Sequence, residues 1–159
     1  MGVFPVNNPT DIITHLAKNE LLISDLYLAY AKRFPELAEF WTNLSVDEKH
    51  HAGWLQHLLQ PFTENAVSVN ARFSSNTLSV YQAYLEKECT LARRGKLDLS
   101  QALSTSLHIE KSLIENRFFE IFEGRSPEWT ETKKNLITET KLHLAKVQQL
   151  MAERKTNRF

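Results

Sequence analysis

The chain has 159 residues, enough for one domain with a buried core, and its 19 basic residues balance its 19 acidic residues. This balance gives no strongly basic surface, so neither nucleic acid nor an anionic membrane is expected as a partner. The sequence shows no signal peptide and no run of about 20 apolar residues, so we expect a cytoplasmic protein.

Apolar residues recur at helical spacing along most of the sequence, which predicts an all-α fold in a single domain, residues 1–159. The main helices are expected at about 10–34, 36–60, 99–123 and 127–153, with a further helix at about 77–94. Pro35 is expected to end the first helix, and Gly95 and Gly124 to end later ones.

About three dozen residues separate the second and third main helices, too many for a hairpin. Residues 62–76 look irregular, and the helix at 77–94 fills the rest. A chain that must return along a bundle before starting its second helix pair needs such a connection. The spacing therefore favours a four-helix bundle, up-down-down-up, with a long helical crossover.

The second helix carries Glu48 and His51 where an apolar seam would continue. The seam residues are Leu37, Trp41, Leu44, Glu48, His51, Leu55 and Leu58. A buried carboxylate or imidazolium costs several kcal/mol unless it is paired or binds a metal. Because Glu-x-x-His is a spacing of metal ligands on bundle helices, the pattern predicts a metal site.

The second and fourth helices share a pattern at one constant offset. In this pattern Leu44, Asp47, Glu48 and His51 correspond to Leu136, Glu139, Thr140 and His143. Glu20 and Glu110 hold similar positions on the first and third helices, each roughly seven residues before an aromatic stretch. These pairs indicate an internal duplication.

These residues, together with Tyr27, Tyr30 and Phe40, resemble the rubrerythrin branch of the ferritin-like superfamily across all the main helices. The resemblance implies two iron or manganese ions, held by a glutamate from helices one and three and a Glu-x-x-His motif from helices two and four. The ligands that it implies are Glu20, Glu48, His51, Glu110 and His143. It also implies an oxidoreductase, a peroxidase or oxidase that reduces peroxide or activates oxygen; we further expect a homodimer.

The chain departs from the family pattern at Thr140, where the second bridging glutamate belongs, and at Leu113, where rubrerythrins carry an extra glutamate. Glu139 could substitute if the helix is slightly rotated, although a shift of one residue turns a side chain by about 100°. With a ligand missing, the site could hold two ions asymmetrically or one ion well. Iron, manganese and zinc all suit such ligands.

The rubredoxin-type cysteines of the family are absent, since Cys89 is the single cysteine, so electrons would come from an external donor. Arg117, seven residues after Glu110, could instead neutralise a carboxylate without metal. For Tyr27 and Tyr30 we favour core packing over contact with metal ligands. For Thr140 we favour a hydrogen bond to its own helical turn.

The alternative function is therefore a non-enzymatic interaction or structural module of ferritin-like fold whose metal site has decayed.

Overall fold

The computed structural model describes residues 9–59, 67–69, 75–120, 122–124 and 127–157. The helices in these ranges are α1 (Pro9–Arg33), α2 (Ala38–His57), α3 (Ser75–Arg93), α4 (Leu99–Glu115) and α5 (Pro127–Thr156). The prediction of an all-helical fold is confirmed. The irregular connection predicted at 62–76 lies largely outside the described residues.

The break between α1 and α2 is set by Pro35. Helix α1 ends at Arg33, because the residue before a proline is disfavoured in the helical region. Pro35–Leu37 then forms a single 3₁₀ turn, so α2 begins at Ala38 rather than at residue 36. The result is a tight turn between two neighbouring helices.

The junction between α3 and α4 follows the predicted signals. Gly95 adopts a left-handed φ of 62°, which glycine reaches without steric cost, and its N–H donates to the carbonyl of Ala92. Helix α4 then starts with a capping box in which Asp98 accepts from the N–H of Gln101 at 2.8 Å. In return, the side chain of Gln101 accepts from the N–H of Asp98 at 2.9 Å.

Helix α4 ends at Glu115, well before the predicted end at residue 123, and this prediction was wrong. The chain turns at Arg117, whose φ of 54° is left-handed and costs a non-glycine residue about 1 kcal/mol or more. The following 3₁₀ turn, Phe118–Glu120, places Phe118 and Phe119 in the core, each 2 % exposed. Burying two aromatic rings outweighs the strain at Arg117.

Helix α1 packs against both α2 and α3, α4 packs against α5, and α2 also contacts α5. The aromatic rings of Tyr27, Tyr30 and Trp41 lie fully buried between α1 and α2, with centroids 5.0 to 6.3 Å apart. Their tilted and edge-to-face packing fixes the register of the first helix pair. This register matters because it sets which polar side chains meet further along the same interface.

Two short strands pair antiparallel, Val67–Val69 with Phe122–Gly124. They join the chain that follows α2 to the chain that precedes α5. No helix in the described part of the chain combines the length and the apolar character needed to span a membrane.

Candidate metal centre

Glu48 lies at the centre of a buried polar cluster and uses both of its carboxylate oxygens. Its Oε2 lies 3.0 Å from Nδ1 of His51, one turn later on α2. Its Oε1 lies 2.8 Å from Nδ1 of His143 on α5. All three side chains are at most 1 % exposed. The helical spacing places Glu48 and His51 on one face, as predicted, and the packing of α5 brings His143 to the same carboxylate.

Glu20 on α1 and Glu110 on α4 flank these contacts. Oε2 of Glu20 lies 3.7 Å from Nδ1 of His51, and Oε1 of Glu110 lies 3.7 Å from Nδ1 of His143. The result is two groups whose ligand atoms all lie within 4.8 Å of one another: Glu20, Glu48, His51 and Glu48, Glu110, His143. The structure thus brings together all five ligands implied by the sequence, with Glu48 shared.

The outer nitrogens of both imidazoles are also held by acids. Nε2 of His51 lies 2.8 Å from Oε2 of Glu139 on α5, and Nε2 of His143 lies 3.2 Å from Oδ2 of Asp47 on α2. The two rings are stacked, with centroids 5.4 Å apart and planes inclined by 21°. Each imidazole is therefore oriented by an acid from the other helix, which directs Nδ1 toward Glu48.

The five predicted ligands do not include Asp47, whose contact with His143 crosses between helices. The signal was present in the constant offset between α2 and α5, since Asp47 corresponds to Glu139 in that pattern. When two related helices pack antiparallel, equivalent acids can reach each other's histidines. Asp47 is the functional candidate that sequence reasoning missed.

The structure does not place Glu139 where the missing bridging carboxylate would be. Its contact is with the outer nitrogen of His51, and neither group of ligands in the described residues includes it. Thr140 occupies the equivalent position to Glu48, is 1 % exposed and donates its hydroxyl proton to the carbonyl of Leu136 at 2.8 Å. The predicted hydrogen bond of Thr140 to its own turn is confirmed.

Tyr27 packs in the core, as predicted, and its hydroxyl also contacts the cluster. Its hydroxyl donates a hydrogen bond of 2.6 Å to Oε1 of Glu110, from α1 to α4. Burial, followed by the nearby charge of Glu110, raises the pKa of Tyr27 well above its ordinary value. The phenol therefore keeps its proton and serves as a hydrogen-bond donor to Glu110.

Arg117 does not neutralise the cluster. It lies exposed in the turn after α4, where it lines a surface cavity of about 340 Å³ together with Phe119 and Lys141. The early end of α4 removes Arg117 from the helix face that carries Glu110. Among the described residues, the two groups of the cluster consist of carboxylates and imidazoles.

The contacts of Glu48 set the charges at the centre. Burial acts to raise the pKa of Glu48, but its contacts with His143 and His51 hold that pKa below the ordinary value. Burial also acts to lower the pKa of His51, yet contacts with Glu20 and Glu48 raise it to about 12. The pKa of His143 is likewise raised, through Glu48, against the effect of burial. Without metal, Glu48 is therefore an anion beside the imidazolium of His51, and its charge favours the protonated form of His143.

The flanking carboxyls behave differently from Glu48. Burial, followed by the charge of Glu48, raises the pKa of Glu110 to about 8 and the pKa of Glu20 well above its ordinary value. Glu110 therefore keeps its proton near neutral pH when no cation is present, and burial favours the protonated form of Glu20 as well. A bound cation would replace these protons and make all the carboxylates anionic.

The donor atoms fit a divalent metal ion. On an octahedral ion with bonds of about 2.1 Å, neighbouring ligand atoms are about 3.0 Å apart, close to the 2.8 and 3.0 Å separations around Glu48. Oε2 of Glu20 and Oε2 of Glu110 are buried without a hydrogen-bond partner in the described residues, as expected of atoms that await a ligand. Carboxylates with imidazole nitrogens suit iron, manganese or zinc.

In comparisons with protein families, with curated proteins and with solved structures, the chain matches none of them. The structure itself establishes an all-helical protein in which two buried groups of carboxylates and histidines could hold metal ions. This arrangement is compatible with a ferritin-like bundle.

Proposed function

We propose that this chain is a rubrerythrin-like metal protein of ferritin-like fold, which reduces peroxide or activates oxygen at a carboxylate and histidine site. The single observation that carries the proposal is the shared Glu48. Its two oxygens each face the inner nitrogen of a different histidine, and a further buried carboxylate flanks each pair. Such an arrangement suits two ions joined by one bridging carboxylate.

The order of contacts between helices supports an up-down-down-up bundle. Along α1 and α2, Ser24 contacts Ser45 and the later Tyr27 contacts the earlier Trp41, so these helices run antiparallel. Along α2 and α5, Asp47 contacts His143 while the later His51 contacts the earlier Glu139, which makes α5 antiparallel to α2. Helices α1 and α5 therefore share one direction.

The crossover helix gives the direction of α4. Cys89 donates to the carbonyl of Leu22, and the later Arg93 pairs with the later Asp25, so α3 runs parallel to α1. Between α3 and α4, Tyr84 contacts His108 whereas the later Glu88 contacts the earlier Thr105, so α4 runs opposite to α3. Helix α4 then shares the direction of α2, as one crossover requires.

Two divalent ions would supply Lewis acidity that polarises the O–O bond of a bound peroxide. Other residues of the chain orient the candidate metal ligands. Tyr27 donates to Glu110 and fixes the orientation of its carboxyl group. Asp47 and Glu139 fix the two imidazoles. The buried ligands keep bulk water away from the reacting atoms, which strengthens electrostatic interactions.

The charge balance disfavours the second of two ions. Glu20, Glu48 and Glu110 offer three negative charges to the four positive charges of two divalent ions. Asp47 and Glu139 contact the outer nitrogens of the two imidazoles, so their negative charges act on the ions only indirectly. One ion is therefore expected to bind more tightly than the other. Because Cys89 is the only cysteine, the proposal also includes an external electron donor.

A second candidate function is a structural or interaction module with a decayed site. It is favoured by Thr140, which stands in place of the second bridging glutamate and is satisfied by its own helix. It is also favoured by the ion pairs of Glu48 with both histidines, which need no metal.

Metal content per chain separates the two candidates. The protein should be purified without a chelator or metal-affinity tag, then given ferrous iron without oxygen and measured by elemental analysis. We expect one to two ions per chain in the wild type, and about a tenth of that or less in Glu48→Gln, because the shared ligand serves both groups. Peroxide consumption should fall in parallel.

Glu88→Gln is the matched control, since Glu88 lies on α3 and contacts Thr105 rather than the cluster. It should bind metal as the wild type does. A wild-type chain that takes up no ion would overturn the proposal in favour of the decayed module. Equal metal content in Glu48→Gln and wild type would show that the ions bind elsewhere.

A further inference from the structure

Helix α3 ends beside the last turns of α1: its final residue, Arg93, pairs with Asp25, while α1 continues to Arg33. Because the two helices run parallel, as the contacts of Cys89 with Leu22 and of Arg93 with Asp25 indicate, their last turns lie at the same end of the molecule. Both last turns are basic, with Lys32 and Arg33 on α1 and Arg93 on α3. Although the chain has no net charge, basic side chains are concentrated at this end.

A half-open groove of about 450 Å³ lies between these two helix ends. Its apolar lining consists of Leu28, Ala29 and Ala92. Its charged lining consists of Asp25, Lys32, Arg33 and Arg93. The groove therefore offers an apolar floor and a mainly cationic rim, and it belongs to the size range of small-molecule sites.

Arg33 lies beside Gly95 at this groove. Gly95 also lines it, and a Cβ atom at Gly95 would lie 3.8 to 3.9 Å from the guanidinium of Arg33. The guanidinium therefore lies near Gly95, and its Cζ lies 6.0 Å from the centre of the Phe34 ring. Arg33 thus supplies one cation at the rim of the groove.

The positive charge at the groove exceeds the negative charge of the two helix ends and Asp25. The last carbonyls of two helices contribute roughly half a negative charge each, and Asp25 contributes one more. The three cations of the rim outweigh this total, and the exposed Arg94 and Lys96 stand next to Gly95 in the chain. An anion in the groove would therefore meet net positive charge.

We propose that the groove between the ends of α1 and α3 binds a small organic phosphate, with its apolar body on Leu28, Ala29 and Ala92 and its phosphate on Arg33 and Arg93. Guanidinium groups match the geometry of phosphate oxygens and bind them in pairs. The apolar floor distinguishes this ligand from free inorganic phosphate. This site is separate from the carboxylate and histidine cluster. The proposal of phosphate binding is therefore independent of the proposed metal chemistry.

Calorimetric titration with three probes tests the site: 1-naphthyl phosphate, 1-naphthol and inorganic phosphate. We expect 1-naphthyl phosphate to bind with a stoichiometry of one, at least about tenfold more tightly than either fragment, and more weakly as salt is added. Arg33→Gln and Arg93→Gln should each weaken this binding about fivefold, since both guanidinium groups are reached by solvent. Metal content should not change in either variant.

Lys134→Gln is the control, because Lys134 is an exposed cation on α5 and does not line the groove. Thermal unfolding and circular dichroism establish that each variant is folded. Undiminished binding by both arginine variants would overturn the proposal, and so would an equal loss in Lys134→Gln. Tighter binding of poly-L-glutamate than of 1-naphthyl phosphate would also overturn it, since this would indicate an acidic protein partner.

Discussion

The two helix pairs, α1 with α2 and α4 with α5, contribute unequally to the cluster. The first pair supplies Glu20, Glu48 and His51, whereas the second supplies Glu110 and His143, with Thr140 in the equivalent position to Glu48. Both histidines consequently depend on Glu48. The comparison teaches that a single buried carboxylate can contact the histidines of both halves when a threonine holds the equivalent position in the other half.

The outer contacts of the two halves remain alike. Glu139 from the second pair holds His51, and Asp47 from the first pair holds His143. The outer contacts of the two histidines are therefore alike, whereas Glu48 and Thr140 differ. The difference between Glu48 and Thr140 can therefore be altered by one set of substitutions, and the similar contacts of Asp47 and Glu139 by another.

Thr140→Glu should remove the difference between the halves and give the largest effect. A glutamate at this buried position would supply a fourth carboxylate, which balances the charge of two divalent ions. We expect two ions per chain and at least about a hundredfold tighter binding of the weaker ion, measured by metal titration. The metal-free variant should be less stable than the wild type, because it buries a further unpaired carboxyl group.

Thr138→Glu provides the control for this substitution, since Thr138 is exposed on the same helix two residues earlier. It should leave metal binding unchanged. If Thr140→Glu binds metal no better than the wild type, the position of Thr140 is not equivalent to that of Glu48, and the inferred duplication loses its functional meaning.

Asp47→Asn and Glu139→Gln should reduce metal affinity by similar amounts, about tenfold each, because their contacts are reciprocal. Each variant keeps an acceptor for the outer nitrogen of its histidine but loses the negative charge that strengthens the imidazole as a ligand. Metal titrations would measure the loss, with Glu131→Gln, an exposed acid on α5, as the control. If only one variant loses metal affinity, the two contacts between acid and histidine are alike in geometry but do not contribute equally to metal binding.

The sequence predicted those parts of the site that depend on spacing within one helix. Glu48 and His51 are neighbours because a helix places residues three apart on one face, and the offset between α2 and α5 identified His143. The predicted core residue Thr140 bonds to its own turn for the same local reason. Contacts within a helix can be derived from the sequence pattern alone.

The parts that were not predicted depend on how helices meet. The contact of Asp47 with His143 and the hydrogen bond from Tyr27 to Glu110 each require a register between two helices, which spacing along one helix does not determine. The early end of α4 depends on the burial of Phe118 and Phe119 after a turn without glycine. Tertiary packing there overrides the local signals.

The pH dependence of stability should differ between the metal-free and metal-loaded protein. Glu110 has a pKa of about 8 in the folded protein, against about 4.3 for an exposed carboxyl group. Between these pH values the folded state binds more protons than the unfolded state, so stability falls as pH rises. His51, with its pKa raised to about 12, acts in the same direction above about pH 6.5.

We therefore expect the metal-free protein to lose on the order of 5 kcal/mol of unfolding free energy between pH 6 and pH 9, because Glu110 and His51 both contribute. Urea unfolding at several pH values would measure the change. Glu110→Gln, which cannot ionise, should reduce the loss. The metal-loaded protein should show little decrease, and a stability that rises with pH in the metal-free protein would contradict the inferred protonation of the flanking carboxyls.

Tyr27→Phe tests a smaller difference between the halves. Tyr27 donates to Glu110, whereas Arg117, which follows Glu110 at the same interval as Tyr27 follows Glu20, lies exposed beyond the end of α4. Loss of the buried hydrogen bond should lower the unfolding free energy of the metal-free protein by about 1 kcal/mol. It should also raise the pKa of Glu110 further, because the hydrogen bond from Tyr27 opposes the effect of burial.

Tyr81→Phe is the matched control, since the hydroxyl of Tyr81 is buried without a hydrogen-bond partner in the described residues. Removing this hydroxyl should leave the urea midpoint unchanged or increase it, because no hydrogen bond is lost and a buried polar group is removed. If both substitutions lower stability equally, the loss reflects packing around a phenol ring. A loss confined to Tyr27→Phe would show that α1 stabilises the carboxyl group of the opposite half.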